Sequence, residues 1–282
     1  MDWLVSESIA PTTARLYRRV VDKLNTFCAA HQLKDKFSPR TVELFVASLN
    51  REGLGPGAIQ SSLSALRHYC KSRGIAMDFD TPKLGLVLRG ITRTHTPSQS
   101  CTSAVSISVL RKLCKAAPLC FDRQFGFMLR ALFSLSFFGL LRPSEACKSP
   151  SSPCHQVLSN QTKIKGNRLR IMFRSYKHSQ APVRVTVLAQ DDKTVCPVSL
   201  LNCYMDKADF GLSDALFPIT TSEFCSALNK CLMFCGISRK FTPHSFRRGG
   251  ATFYSAGGMS DACLRAMGRW KSNAYLVYVK PK

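Results

Sequence analysis

The spacing of apolar residues changes from helical to alternating and back along this chain, and this change limits the folds open to it. In residues 11–93 and 106–138, apolar side chains recur three and four residues apart, as on one face of a helix. Over residues 168–174 and 183–187, basic and apolar residues alternate, which is typical of half-buried strands, and residues 176–182 between them are expected to form a turn. Helical spacing then resumes. We therefore expect a mainly α-helical protein with a small β-hairpin, one face of which is basic.

The first block, residues 11–93, predicts a small four-helix bundle. Ser38 followed by Pro39 marks the start of its second helix, because serine caps helix N-termini and proline favours the first turn. Gly74 marks the end of the third helix. The apolar stripes are Leu16, Val20, Leu24 and Phe27; Val42, Phe45, Val46 and Leu49; Ile59, Leu63, Leu66 and Cys70; and a shorter segment from Leu84 to Ile91.

Two domains are expected, separated by a linker. Residues 94–105 are rich in Thr, Ser, Pro and Gln and contain almost no large apolar side chain, which is the composition of a linker. The domains are then residues 1–93, a helical bundle, and residues 106–282, which combine helices with the hairpin.

The chain carries a large positive charge. It contains 40 Lys and Arg residues against 17 Asp and Glu, a formal net charge of +23. Such an excess predicts a polyanionic partner, most often nucleic acid. Hydrophobic residues make up 45% and charged residues only 20%, so the chain is expected to fold rather than to be a disordered basic tail. Residues 1–95 contain only 14 of the basic and 8 of the acidic residues, so the second domain should make most of the contacts with a duplex.

The 13 cysteines are expected to be reduced thiols. Residues 1–11 contain Asp2 and Glu7 and no apolar run of signal-peptide length, which predicts an intracellular protein. No C-x-x-C pair occurs, so neither a structural zinc site nor another metal is expected. The most apolar stretch, residues 125–141, is interrupted by Arg130 and is expected to be a buried helix rather than a membrane span.

The densest polar signal is the predicted helix start at Thr242-Pro-His-Ser-Phe-Arg. With Thr242 as N-cap, His244 and Arg247 lie on one face of the first turn. A helix N-terminus that carries an imidazole and a guanidinium forms a binding site for a phosphate. The alternative is that these are ordinary surface residues of a basic protein.

Two further polar features lie at the ends of predicted helices. Arg142 follows a helix that must be buried, and Glu145 can hold its guanidinium toward an anion; a purely structural ion pair is the alternative. Tyr275 and Tyr278 lie three residues apart in a short helix capped by Ser272, where packing is the alternative to chemistry.

In order and spacing, these features resemble the catalytic set of the tyrosine recombinase (phage integrase) family. The most specific motifs are Gly139-Leu-Leu-Arg-Pro-Ser-Glu, His244-Ser-Phe-Arg-Arg-Gly and Gly268-Arg-Trp-Lys-Ser, followed by the terminal tyrosine. The resemblance covers nearly the whole chain. It implies a four-helix, SAM-like core-binding domain that binds DNA, followed by the α+β catalytic domain of that family. The last two motifs are similar to recombinases of eukaryotic mobile elements of the DIRS and Crypton types, which implies a transposable element and a nuclear location in a eukaryote, or a cytoplasmic one otherwise.

The resemblance implies a site-specific DNA recombinase or integrase that acts on double-stranded DNA, as a homo-tetramer in the synaptic complex, without cofactor or metal. A tyrosine attacks a phosphodiester, which gives a 3′-phosphotyrosyl link and a free 5′-hydroxyl, and attack by another 5′-hydroxyl rejoins the strands. By resemblance, Tyr278 is the nucleophile, with Tyr275 as the alternative. Arg142 and Arg247 bind the phosphate, and Glu145 orients Arg142. Lys177 is the general acid, His244 exchanges a proton with the tyrosine or binds the phosphate, and Trp270 donates its indole N–H or packs against the site.

Several alternatives stay open. Lys163, Lys165 and Lys193 lie near the hairpin and compete with Lys177 for the role of general acid. A catalytically inactive DNA-binding protein derived from a mobile-element recombinase would keep the basic surface without the whole catalytic set. A type IB topoisomerase-like enzyme would use similar tyrosine chemistry without synapsis. An RNA-binding or structural protein would carry aromatic stacking platforms, which the hairpin lacks.

Overall fold

The computed structural model describes residues 7–95, 102–148, 155–176, 181–211 and 213–278. The chain divides into two compact units between Ser100 and Cys101. Of the predicted linker, residues 96–101 lie outside the described residues, as does Lys177.

The first unit is a bundle of four α-helices. They are α1 (Pro11–Ala30), α2 (Pro39–Arg51), α3 (Pro56–Arg73) and α4 (Pro82–Thr94). Each begins with a proline in its first turn. The Ser38 hydroxyl accepts a hydrogen bond from the Thr41 backbone N–H, and Gly74 ends α3 with a left-handed φ of 66°. Local capping residues therefore set these helix boundaries.

The core of the bundle follows the predicted stripes in α2 and α3 but departs from the prediction in α1. The buried residues of α1 are Val21, Leu24 and Cys28, whereas Leu16 is 59% exposed. Of the predicted stripe, Leu24 is buried, and Val20 and Phe27 are half-buried and pack against the core, so only Leu16 lies away from it. Packing against α3 sets which side of the stripe is most deeply buried.

The second unit contains seven α-helices and three strands among its described residues. They are α5 (Ile107–Cys120), α6 (Arg123–Phe138), the short α7 (Pro143–Ala146), β1 (Thr162–Lys165), β2 (Arg168–Phe173), β3 (Val183–Leu188), α8 (Pro197–Met205), α9 (Thr221–Phe234), α10 (Pro243–Ala256) and α11 (Asp261–Gly268), with 3-10 helices at Ser159–Gln161 and Asn273–Val277.

The three strands form one antiparallel sheet in the order β1-β2-β3. Strands β2 and β3 are the predicted hairpin. Strand β1 was not predicted, because four residues are too few for an alternating pattern to stand out. Side chains alternate between a buried face and an exposed face along β2 and β3, as the pleat requires.

Helix α6 lies in the core of the second unit, and every residue from Ala131 to Phe138 is buried. Helix α10 packs against it through two glycines. A Cβ at Gly250 would lie 2.0 Å from the Phe137 carbonyl oxygen, and a Cβ at Gly249 would lie 2.9 Å from Cε2 of the Phe137 ring and 1.9 Å from the carbonyl oxygen of Val105, which precedes α5. Only glycine permits this approach, and it brings the first turns of α10 to the C-terminal end of α6. No helix in the described part of the chain has the length and apolar character needed to cross a membrane.

Candidate active site

The turn between α6 and α7 places one carbonyl group where two buried arginines meet. Leu140 has a φ of 48°, a left-handed conformation that is uncommon for a residue other than glycine. Its side chain is fully buried. Its carbonyl oxygen accepts hydrogen bonds from Nη1 of Arg247 and, at 2.9 Å, from Nη2 of Arg269. Two guanidinium groups from separate segments are thereby held at the start of α7.

Arg142 is the N-cap of α7, and Glu145 holds both its backbone and its side chain. The Glu145 carboxylate accepts a hydrogen bond from the Arg142 backbone N–H at 2.8 Å and from Nη1 of its guanidinium at 2.7 Å. The side chain of Glu145 is only 1% exposed, whereas that of Arg142 is 14% exposed. A buried anion therefore holds a cation that stays accessible.

A third arginine, Arg269, completes the cluster. Its fully buried guanidinium donates from Nη2 to Glu145 Oε2 at 2.6 Å. Arg269 adopts a left-handed φ of 56° at the end of α11, and its carbonyl oxygen accepts a hydrogen bond from Nη2 of Arg142 at 2.8 Å. Burial raises the pKa of Glu145, but the charges of Arg269 and Arg142 outweigh it and lower that pKa overall. Glu145 is therefore an ionised partner of both arginines.

Sequence reasoning assigned no role to Arg269. The only signal was its place between Gly268 and Trp270 in the third motif. An arginine near a helix C-terminus is ordinarily an exposed residue, so this position alone did not indicate burial.

Arg247 is a largely buried cation, 1% exposed. Its two terminal nitrogens donate to the carbonyl oxygens of Leu140 and Gly268. Its Cζ lies 4.1 Å from the centroid of the Trp270 ring, within the range of a cation–π contact. Burial, together with the positive charges of the other two arginines, lowers the pKa of Arg247. The cluster contains three guanidinium groups and one carboxylate, so it carries an excess of positive charge, which a bound anion would balance.

Tyr278 lies beside the first turn of α10. Its hydroxyl is 2.9 Å from Nε2 of His244, and the two rings meet edge to face with centroids 5.6 Å apart. The Thr252 hydroxyl donates to the Tyr278 carbonyl oxygen at 2.7 Å, which attaches the end of the last 3-10 helix to α10. The Cζ of Arg248 lies 5.7 Å from the tyrosine ring. An imidazole is thus within reach of the phenolic proton, with a cation nearby.

The clustered groups line one pocket of about 580 Å³. The Trp270 ring borders it and lies 5.8 Å from that of Tyr278, between centroids. Among the described residues no group of three or more His, Cys, Asp or Glu is placed to hold a metal ion. The residues that line the pocket are Arg142, Pro143, Ser144, Thr221, His244, Arg247, Arg269, Trp270, Lys271, Ser272, Ala274 and Tyr278.

Tyr275, the alternative nucleophile, lies outside this pocket. It is 3% exposed and packs in a cluster with Leu140, Ala251 and Leu264. Burial and a hydrogen bond with Asp261 raise the pKa of Tyr275. Its environment is that of a packing residue.

The predicted general acid, Lys177, lies outside the described residues. The residue before it, Tyr176, has its ring centroid 5.9 Å from Cζ of Arg142, which is one of the residues that line the pocket. None of the competing lysines, Lys163, Lys165 and Lys193, lines the pocket.

Solved structures of other proteins share this fold. Neither a family model nor a curated protein sequence matches the chain. The structure is similar to the XerH site-specific recombinase bound to a palindromic difH substrate, with a TM-score of 0.66 at 13% identity, over 96% of this chain and 76% of XerH. It is similar to residues 82–397 of the Tn1549 transposon integrase in complex with a circular intermediate DNA, with a TM-score of 0.66 at 11% identity, over 99% and 95% of the two chains.

A third similar structure is a lambda integrase dimer bound to a COC′ core site, with a TM-score of 0.62 at 15% identity, over 98% of this chain and 74% of the integrase. The chain therefore has the tyrosine recombinase fold, mainly helical with a small antiparallel sheet. This confirms the fold class expected from the sequence.

Proposed function

We propose that this protein is a site-specific DNA recombinase that cleaves and rejoins DNA through a 3′-phosphotyrosyl intermediate. One observation carries the proposal: the Tyr278 hydroxyl lies 2.9 Å from His244 Nε2, at a pocket that Arg142 and Arg247 also line. Phosphoryl transfer to a tyrosine requires a nucleophile, a base and cations that bind the phosphate, all lining the same pocket. The two guanidinium groups can each donate two hydrogen bonds. The similarity of the fold to recombinases whose structures contain bound DNA supports the same function.

In the proposed reaction, the Tyr278 oxygen attacks the phosphorus and the bond from phosphorus to the 5′-oxygen breaks. The phenolic proton passes to His244, which lies within hydrogen-bond distance. The departing 5′-oxygen takes up a proton, and Lys177 is our candidate donor, on the resemblance alone. Attack by a 5′-hydroxyl reverses these steps, so the energy of the broken bond is kept in the phosphotyrosyl link.

Arg142 and Arg247 are our candidate ligands for the two non-bridging oxygens. Each already donates from both terminal nitrogens to protein oxygens, and a guanidinium has further N–H groups to offer. These hydrogen bonds therefore orient each guanidinium group and leave some of its N–H groups able to bind the phosphate. Donors fixed before the reaction stabilise a transition state best, because no reorganisation is needed when charge develops. Trp270 would hold Arg247 from the face of its ring.

Covalent trapping tests the proposal. Duplexes of randomised sequence, each nicked so that a short 5′-hydroxyl fragment diffuses away on cleavage, are incubated with the full chain and resolved on denaturing gels. We expect protein–DNA adducts that the Tyr278→Phe variant does not form and that a chelator does not reduce. Sequencing the trapped DNA would identify the target. The absence of adducts from the whole library would contradict the enzyme and favour a DNA-binding protein that does not cut.

The same assay separates the remaining enzymatic alternative. A type IB topoisomerase-like enzyme would form the adduct and relax supercoiled plasmid without exchanging strands between duplexes. A recombinase is expected to exchange strands between two copies of the trapped target. Recovery of joined products from two differently labelled duplexes would support exchange.

The assembly and origin are also proposals. We propose that four copies act on two duplexes, since two strands must be exchanged on each. Sedimentation of the protein with its trapped target should then show a species of four chains. We further propose that the chain comes from a DIRS-type or Crypton-type mobile element and acts in the nucleus, on the resemblance of its His244 and Gly268 motifs; fluorescence of a tagged chain in a eukaryotic cell would test the location.

A further inference from the structure

The exposed face of the sheet carries only positive charge. We name as the outer sheet face the side chains that alternate outward along the three strands and the residue after β2: Lys163, Lys165, Arg168, Arg170, Met172, Arg174, Arg184, Thr186 and Leu188. Six of these nine are cations and none is acidic. No ion pair or side-chain hydrogen bond joins these cations to any described residue. This face therefore presents uncompensated charge to solvent.

The strand register sets like charges directly against each other. Lys163 lies opposite Arg170, and Lys165 lies opposite Arg168. Like charges at opposing positions of an antiparallel pair repel and destabilise the sheet. A surface that only needed to be soluble would mix charges of both signs. A surface that carries only cations is instead suited to bind a polyanion, because the bound polyanion removes the repulsion between them.

The cations on β2 and just after it also form a line that leads to the pocket. Successive residues on one face of a strand are about 6.6 Å apart, so Arg168, Arg170 and Arg174 span about 20 Å. That length corresponds to about six base-pair steps of a duplex at 3.4 Å each. At the pocket end, Cζ of Arg269 lies 4.1 Å from the Phe173 ring, and Cζ of Arg142 lies 5.9 Å from the Tyr176 ring.

We infer that the outer sheet face binds the phosphate backbone of duplex DNA adjoining the cleaved site. The inference rests on the proposed function for the identity of the polyanion. The bound groups are phosphates, because the face offers exposed lysine and arginine cations and no aromatic ring on which bases could stack. The contact adds affinity without sequence preference, and it lies beyond the residues that act on the scissile phosphate.

The test measures how the affinity for duplex DNA of arbitrary sequence depends on salt. The full chain is compared with a variant in which Arg168, Arg170, Arg174 and Arg184 are each replaced by Gln, and with a control in which the exposed cations Lys112, Lys115, Arg239 and Lys240 are replaced by Gln. Each lost phosphate contact lowers the slope of log K against log salt by about 0.9. We expect the sheet variant to lose about 3 to 4 from this slope and the control to lose much less.

Two further readouts keep the result interpretable. The sheet variant should melt at a higher temperature than the parent chain without DNA, since its opposing like charges are gone; this also shows that it folds. It should still form the Tyr278 adduct on trapped target DNA at low salt. Adduct formation with an unchanged slope, or an equal fall in the control, would overturn the inference and leave the proposed function standing. A loss of binding to single-stranded RNA but not to duplex DNA would overturn the choice of partner, whereas the lack of an adduct with the parent chain would contradict the proposed function instead.

Discussion

Arg142 and Arg269 are joined directly: Nη2 of Arg142 donates to the Arg269 carbonyl oxygen at 2.8 Å. Both also bind the carboxylate of Glu145. Arg269 therefore acts on Arg142 through two routes, one by charge and one by its backbone.

The Arg269→Gln variant should lose stability and cleavage together. Removing one partner of a buried ion pair costs about 3–5 kcal/mol, because it leaves the other charge uncompensated. The double variant Glu145→Gln/Arg269→Gln should be less destabilised than the sum of the single variants, since only the partly exposed Arg142 is then left without its carboxylate. Chemical denaturation of all four proteins measures this coupling. Additive losses would show that the two side chains do not act as a pair.

The two tyrosines should separate in the trapping assay. Tyr278→Phe keeps the ring and removes the hydroxyl that lies beside His244, so the adduct should disappear while the affinity for DNA is retained. Tyr275→Phe should keep the adduct, because that tyrosine packs in the cluster around Leu140. An adduct that survives only in the Tyr278 variant would move the nucleophile to Tyr275.

Arg247→Lys should slow cleavage with little change in binding. Lysine keeps the charge but loses the forked donors that reach both Leu140 and Gly268. Loss of a main transition-state donor lowers the rate of the chemical step by about 10²–10³-fold. Single-turnover cleavage measures the rate, and the salt slope of binding should match that of the parent chain. A fall in affinity without a fall in single-turnover rate would assign Arg247 to binding alone.

Glu145 should make the second unit sensitive to acid. Because the pKa of Glu145 is lowered in the folded chain from its ordinary value of 4.5, the protein gains stability above that value and loses it as the pH falls through the folded pKa. Melting temperatures measured downward from pH 6 should fall, and Glu145→Gln should flatten that fall. A Glu52→Gln substitution, at an exposed position in the first unit, should leave the fall in melting temperature unchanged. An equally steep fall in Glu145→Gln would assign the acid sensitivity to other carboxylates.

Gly250→Ala should disrupt the packing of α10 on α6. Its Cβ would lie 2.0 Å from a backbone oxygen of Phe137, and backbone atoms cannot move aside cheaply. Overpacking of this kind costs about 1–3 kcal/mol or more. Gly85→Ala in α4, where a Cβ meets nothing within 4 Å, should instead gain about 0.5–1 kcal/mol. Denaturation of both variants measures the difference, and a neutral Gly250→Ala would show that the helices can separate without loss.

Much of the secondary structure was predictable because its signals are local. Ser38 and Ser106 each cap the helix that follows them, and the alternation over residues 168–174 and 183–187 marks two strands of the sheet. The same reasoning wrongly placed Leu16 on the buried face of α1 and overlooked β1, because both depend on the neighbouring element and not on the segment's own pattern.

The amino-acid sequence by itself determined the helical bundle, the basic hairpin, the excess of positive charge and the set of polar residues worth examining, because period, capping and composition act over a few residues. The tertiary structure decided that Arg269, 127 residues from Arg142 along the chain, pairs with Glu145. It also decided that Tyr278, and not Tyr275, lies at the pocket. Each of these outcomes depends on which segments pack together. The left-handed Leu140 and the close approach of α10 to α6 bring the arginines to one carbonyl oxygen, and no local pattern encodes that meeting.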